Sequence, residues 1–173
     1  MVPTGAILTA VTMVEALGDP ADEQMFARAA TEVPLLVARW GIPVVTQAFG
    51  LLIGTAVTLV TPPPGGPGRL HLVMAPVLTR LSRLHLAGYL LPAMAGVLAA
   101  ACLDQDPWQW RHSIGPIGDA EALAWCYTAW LVTDFVDTVV LRERGAFTRR
   151  VTGVVTDADA IPDDLGGLDS IPG

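Results

Sequence analysis

The chain has 173 residues, 52% of them apolar and only 16% charged, with a mean hydropathy of +0.50. That balance excludes a disordered chain, which needs low hydrophobicity and high charge, and a collagen-like or low-complexity fibre. Ten basic residues, all arginine, face 17 acidic ones, and the net charge of −7 argues against nucleic acid as a partner. Length alone suggests one domain.

The N-terminus, Met1-Val2-Pro3-Thr4, lacks the basic start of a secretory signal. Residues 5–17 are apolar but too few to cross a bilayer. At Gly18-Asp19-Pro20 the chain breaks: Asp19 suits a helix N-cap and Pro20 the first helical position. From there Met25, Phe26, Ala29, Ala30, Val33, Leu36, Val37 and Trp40 recur at three- and four-residue steps, the apolar stripe of an amphipathic helix. Pro34 is expected to kink or restart it.

From position 40 to 68 there is no ionisable side chain. Residues 40–60 form one apolar run, which ends in the Pro- and Gly-rich stretch 61–68, a loop that no helix can pass through. A mixed segment with His71, Arg80, Arg83 and His85 leads into a second uncharged run, 86–103, stopped at Asp104-Gln105-Asp106-Pro107. Residues 108–118 read as a loop. Asp119 is placed to cap a last long helix, from 120 to about 144, with Gly145 as its C-cap. Residues 151–173, rich in Asp and free of aromatics, read as a flexible acidic tail.

The expected class is therefore all-α: a small bundle of about five helices, three of them long, apolar and membrane-spanning. Its expected organisation is an amphipathic N-terminal segment 1–39, an apolar bundle 40–150 and the tail. A hydrocarbon core of roughly 30 Å takes about 20 residues of helix, the length of the runs 40–60, 86–103 and 122–141. With those three as spans, Arg69, Arg80 and Arg83 fall on the same side as Arg142, Arg144, Arg149 and Arg150, as a cytoplasmic C-terminus requires. Trp40, Trp108 and Trp110 fall at the opposite interface, with Trp125 one turn inside. The competing reading is a soluble bundle whose apolar runs are core helices; two helices buried on all sides are hard to fit in a small domain.

Gly50-x-x-x-Gly54, extended by Thr58, is a small-residue face suited to close helix association, either with another chain or within this one. Asp134 and Asp137 share a helical face and have no cation three or four residues away. They are expected to pair with Arg80 and Arg83 on the adjacent helix, the alternative being a cation or proton site. Cys102 and Cys126 fall near the outer ends of their segments, where a disulfide is feasible. His71, His85 and His112 are scattered, and no metal set is expected. No nucleophile elbow, P-loop or dinucleotide fingerprint occurs, so neither a catalytic residue nor a cofactor is assigned. The absence of Lys and Asn, whose codons are AT-rich, points to a GC-rich, bacterial source. The expected role is non-enzymatic: an assembly or accessory subunit of the inner membrane with its C-terminus in the cytoplasm. Its expected partners are membrane lipid and either a protein or a second copy. The alternative is a soluble all-α interaction module.

Overall fold

Glycines and caps set the helix boundaries. The computed structural model describes residues 1–20, 22–60, 75, 79 and 121–159. Helix α1, Thr4–Leu17, ends at Gly18, whose φ of 63° takes the chain out of the helix at little steric cost. Helix α2, Glu23–Trp40, is capped by Asp22, whose carboxylate accepts from the Gln24 N–H at 3.0 Å. The cap is thus Asp22 and not Asp19; Asp19 is held by Arg144 at 3.0 Å, a contact 125 residues away in sequence. Pro34 lies inside α2 without ending it. Ala30 and Pro34 are both exposed, so the carbonyl deprived of its donor lies on the solvent side.

The apolar run 40–60 is not one element. Gly41, at φ 81°, separates Trp40, the last residue of α2, from helix α3, Ile42–Val60. Pro43 sits in the first turn of α3, where its missing N–H leaves no bond unmade. Helix α4 is Glu121–Phe135, and it continues as a π-helical segment, Val136–Leu141. The wider turn closes when Arg142 takes the left-handed conformation, φ 55°, and its N–H returns to the Asp137 carbonyl. Helix α5, Ala146–Asp159, follows after Gly145. The long helix read from 120 to 144 therefore stops at Leu141, and Gly145 precedes α5 instead of closing α4. Residues 151–159, expected to be tail, continue α5, with Val151, Val154 and Val155 at helical spacing.

The described residues are all-helical, with five helices and no strand. One helix, α3, and not three, is long and apolar enough among them to cross a membrane, and half of its 42–59 window is buried. The second run, 86–103, lies outside the described residues. The third is a core helix. In α4 every side chain from Glu121 to Phe135 is buried except Leu123 and Asp134. A helix buried on all sides needs no polar face, which is why 122–141 reads like a span. Helices α1, α2 and α3 pack around α4 in one core that includes Ala10, Val14, Leu17, Phe26, Ala29, Val33, Phe49 and Ile53. The N-terminal segment thus shares its core with the bundle. Trp125 is 1% exposed within it, so it is a core residue and not part of an interfacial belt.

Aromatic packing fixes α2 against α4. The Phe26 ring meets Tyr127 edge-on at 4.9 Å and Trp130 at 4.6 Å. The Tyr127 hydroxyl donates to the Phe26 carbonyl at 2.6 Å, and Trp130 Nε1–H donates to the Gly18 carbonyl at 2.8 Å. Both polar tips are therefore satisfied inside the protein, as burial of Tyr and Trp requires.

Candidate association face and the junction cavity

Helix α3 carries the small-residue motif, and the structure turns its members differently. Gly50 is buried, Gly54 is half-buried and Thr58 is exposed. A four-residue step advances 400°, so the stripe rotates from core to surface along the helix. A methyl group added at Gly54 would meet nothing within 4 Å. Packing within the described residues thus gives no reason for glycine there. Around Gly54 lie the exposed Leu51, Thr55, Thr58 and Leu59. The two hydroxyls are bonded back onto their own helix: Thr55 to the Leu51 carbonyl at 2.8 Å, and Thr58 to the carbonyls of Gly54 at 3.1 Å and Thr55 at 2.8 Å. The outward face is uncharged and its hydroxyl donors are already used.

The acidic pair of α4 lies at the other notable place, a cavity of about 330 Å3 where the ends of α1 and α4 meet the start of α5. Asp137, 6% exposed, is fully engaged by backbone. Its carboxylate accepts from the Gly145 N–H at 2.8 Å and the Phe147 N–H at 2.9 Å, capping α5 from a neighbouring helix. Its carbonyl accepts from Glu143 N–H at 2.9 Å as well as from Arg142. Asp134 has the Arg144 guanidinium 3.8 Å away, and the same Arg144 bonds Asp19. Glu15 accepts from the Thr148 hydroxyl at 2.6 Å. Thr133 also lines the cavity, but its Oγ1 is closed off from solvent and has no hydrogen-bond partner among the described residues. Arg80 and Arg83, the expected partners of Asp134 and Asp137, lie outside the described residues. Asp137 meets backbone donors eight and ten residues downstream, which no local sequence pattern announces.

Cys126 is a free thiol with 0% exposure in the middle of the core, and Cys102 lies outside the described residues. Burial away from water, with the negative charge of Glu32 adding to it, pushes the Cys126 thiol well above its ordinary range. It is a poor nucleophile in the folded chain. Among the described residues no group of three or more His, Cys, Asp or Glu is placed to hold a metal ion.

Two features of the surface bear on its solvent. Helix α2 presents Glu23, Arg28 and Arg39 outward, with Arg28 bonded to Glu32 at 2.7 Å one turn on. The connection after α4 gathers Arg142, Arg144, Arg149 and Arg150, all exposed. Compared with protein-family models, with curated proteins and with solved structures, the chain matches none of them.

Proposed function

We propose that this chain is a small non-enzymatic bacterial membrane protein, an assembly or accessory subunit that acts by helix–helix association with α3 set in the bilayer. The observation that carries the reading is α3. It has 19 residues and no ionisable side chain, and at 1.5 Å per residue it extends roughly 28 Å, close to a hydrocarbon thickness. Its outward face is Leu51, Gly54, Thr55, Thr58 and Leu59, with the threonine hydroxyls satisfied within the helix, which is what a lipid or helix neighbour demands. Under this reading the Arg-rich connection 142–150 marks the cytoplasmic side.

One observation favours a second reading, a soluble all-α interaction module. Helix α2 packs along α4 yet carries the exposed Arg28–Glu32 pair, which hydrocarbon would not accept. In that case the α3 face is a docking surface for a partner protein.

Fractionation separates the two. The chain is expressed without detergent and the membranes are washed with alkaline carbonate. Retention supports α3 in the bilayer; a soluble monomer overturns it and leaves the interaction module. Association itself is read by chemical cross-linking of Gly54→Ile, which should abolish the cross-linked species. Unchanged cross-linking removes the α3 face from either reading.

A further inference from the structure

We propose that the surface at the α4–α5 connection binds an anionic lipid bilayer, with Val139 and Val140 entering the headgroup boundary and Arg142 and Arg150 engaging the lipid phosphates. In naming a bilayer this rests on the membrane reading above, but it uses different residues and does not need α3 to cross.

Val139 and Val140 are adjacent in the π-helical segment and are 52% and 40% exposed. A single exposed valine is ordinary, but here two lie side by side and are followed at once by cations. Residues 142–150 contain four arginines and one glutamate, in a chain whose net charge is −7. Two of the four are neutralised: Arg144 by Asp19, and Arg149 by Glu143. Arg142 and Arg150 are exposed and have no ion-pair partner among the described residues. An apolar pair beside unpaired cations is the pattern of an interfacial anchor, in which buried apolar area and attraction to anionic headgroups add.

The occupant follows from this chemistry. A nucleic acid would use the cations but gain little from the valines. An acidic bilayer uses both. The connection is also held in shape: Asp137 ties the start of α5 to the π-helical segment through Gly145 and Phe147, so the turn that carries Arg142 and leads to Arg150 is fixed before any ligand arrives.

The test is flotation of the purified full chain with preformed vesicles, at low salt. One set is phosphatidylcholine alone, the other has one part in three of phosphatidylglycerol. Binding should require phosphatidylglycerol and weaken with added salt. Arg142→Gln with Arg150→Gln should lower partition about 30-fold, and Arg150→Gln alone about fivefold, at ~1 kcal/mol per basic residue near the surface. The single variant sits on a regular helix, so it guards against a folding effect at the left-handed Arg142. Val139→Ser with Val140→Ser should weaken binding as well. Glu143→Gln with Arg149→Gln removes a neutral pair and should leave partition within about twofold by the same scale. Equal binding to both vesicle sets, or no loss in the Arg142/Arg150 variants, overturns the proposal. So does arginine-dependent capture of a single-stranded oligonucleotide without vesicle binding. Failure of α3 as a span is read separately, as loss of carbonate-resistant retention while phosphatidylglycerol-dependent binding persists.

Discussion

Replacing Asp137, a buried carboxylate, by alanine should be among the most damaging single changes to a polar residue of this bundle. Two backbone donors, the half-buried Gly145 N–H and the buried Phe147 N–H, terminate on its carboxylate at 2.8 and 2.9 Å. Loss of a helix cap costs about 0.5–2 kcal/mol, and a hydrogen bond to a charged group contributes about 1.5–3. Both bonds share one carboxylate and act on one helix end, so they do not simply add; about 3 kcal/mol is the expected loss. For a chain of this size that corresponds to a fall in Tm of roughly 6–12 °C. Asp137→Asn keeps one acceptor oxygen and turns an amide N–H toward the other donor, so it should lose about half as much. Chemical denaturation of the three proteins measures the series. Hydrogen exchange locates it, because the amides at the start of α5 should lose protection before those of α4. If alanine costs less than about 1 kcal/mol, or if asparagine is as damaging as alanine, the carboxylate does not carry the cap.

Other outcomes are sharper in direction than in size. Tyr127→Phe removes the bond to the Phe26 carbonyl but keeps the ring contact, and should cost about 1 kcal/mol in denaturation. Cys126, in a Cys102→Ala background, should react with a thiol reagent in mildly alkaline buffer only as fast as the chain unfolds, since burial keeps it protonated. Rapid labelling of the folded protein would contradict the buried position. Gly54→Ala has room for its methyl group and should stabilise the isolated chain by up to about 1 kcal/mol, while weakening any association that depends on close approach at that position. A loss of stability would mean that a neighbour occupies the space.

Periodicity found what periodicity encodes. The stripe on α2 lies where its three- and four-residue steps put it: Phe26, Ala29 and Val33 are buried, and Met25, Leu36, Val37 and Trp40 are packed against the core. Only Ala30 faces out. Boundaries decided by distant contacts were not legible. Asp19 and Asp22 are equally good caps locally, and what separates them is Arg144, which claims Asp19 from the far end of the chain. Gly41 is one more small residue in an apolar run until its φ of 81° is known. The start of α5 was hidden for a related reason: its cap, Asp137, belongs to the segment before it and acts across a turn, outside the local cap-then-helix pattern.

The long apolar runs show where composition stops being informative. Residues 40–60 and 122–141 are similar in length and hydropathy, yet they sit in different surroundings. Helix α4 is enclosed by protein on almost every side, and several polar groups of α4 and its π-helical continuation are met inside the fold: the Tyr127 hydroxyl by the Phe26 carbonyl, Trp130 by Gly18 and the Asp137 carboxylate by the start of α5. Among the described residues helix α3 is enclosed on one side only, and its outward threonines are satisfied by their own helix. Both arrangements remove the need for water, which is the property hydropathy measures. They differ in what supplies the partner. A core helix can carry a carboxylate or a phenol wherever another element meets it, so polar residues in α4 mark contacts. A helix facing lipid must satisfy its polar groups locally, as the outward threonines of α3 do. On that criterion α3, rather than α4 with its π-helical continuation and their two aspartates, is the helix proposed to meet lipid or a partner.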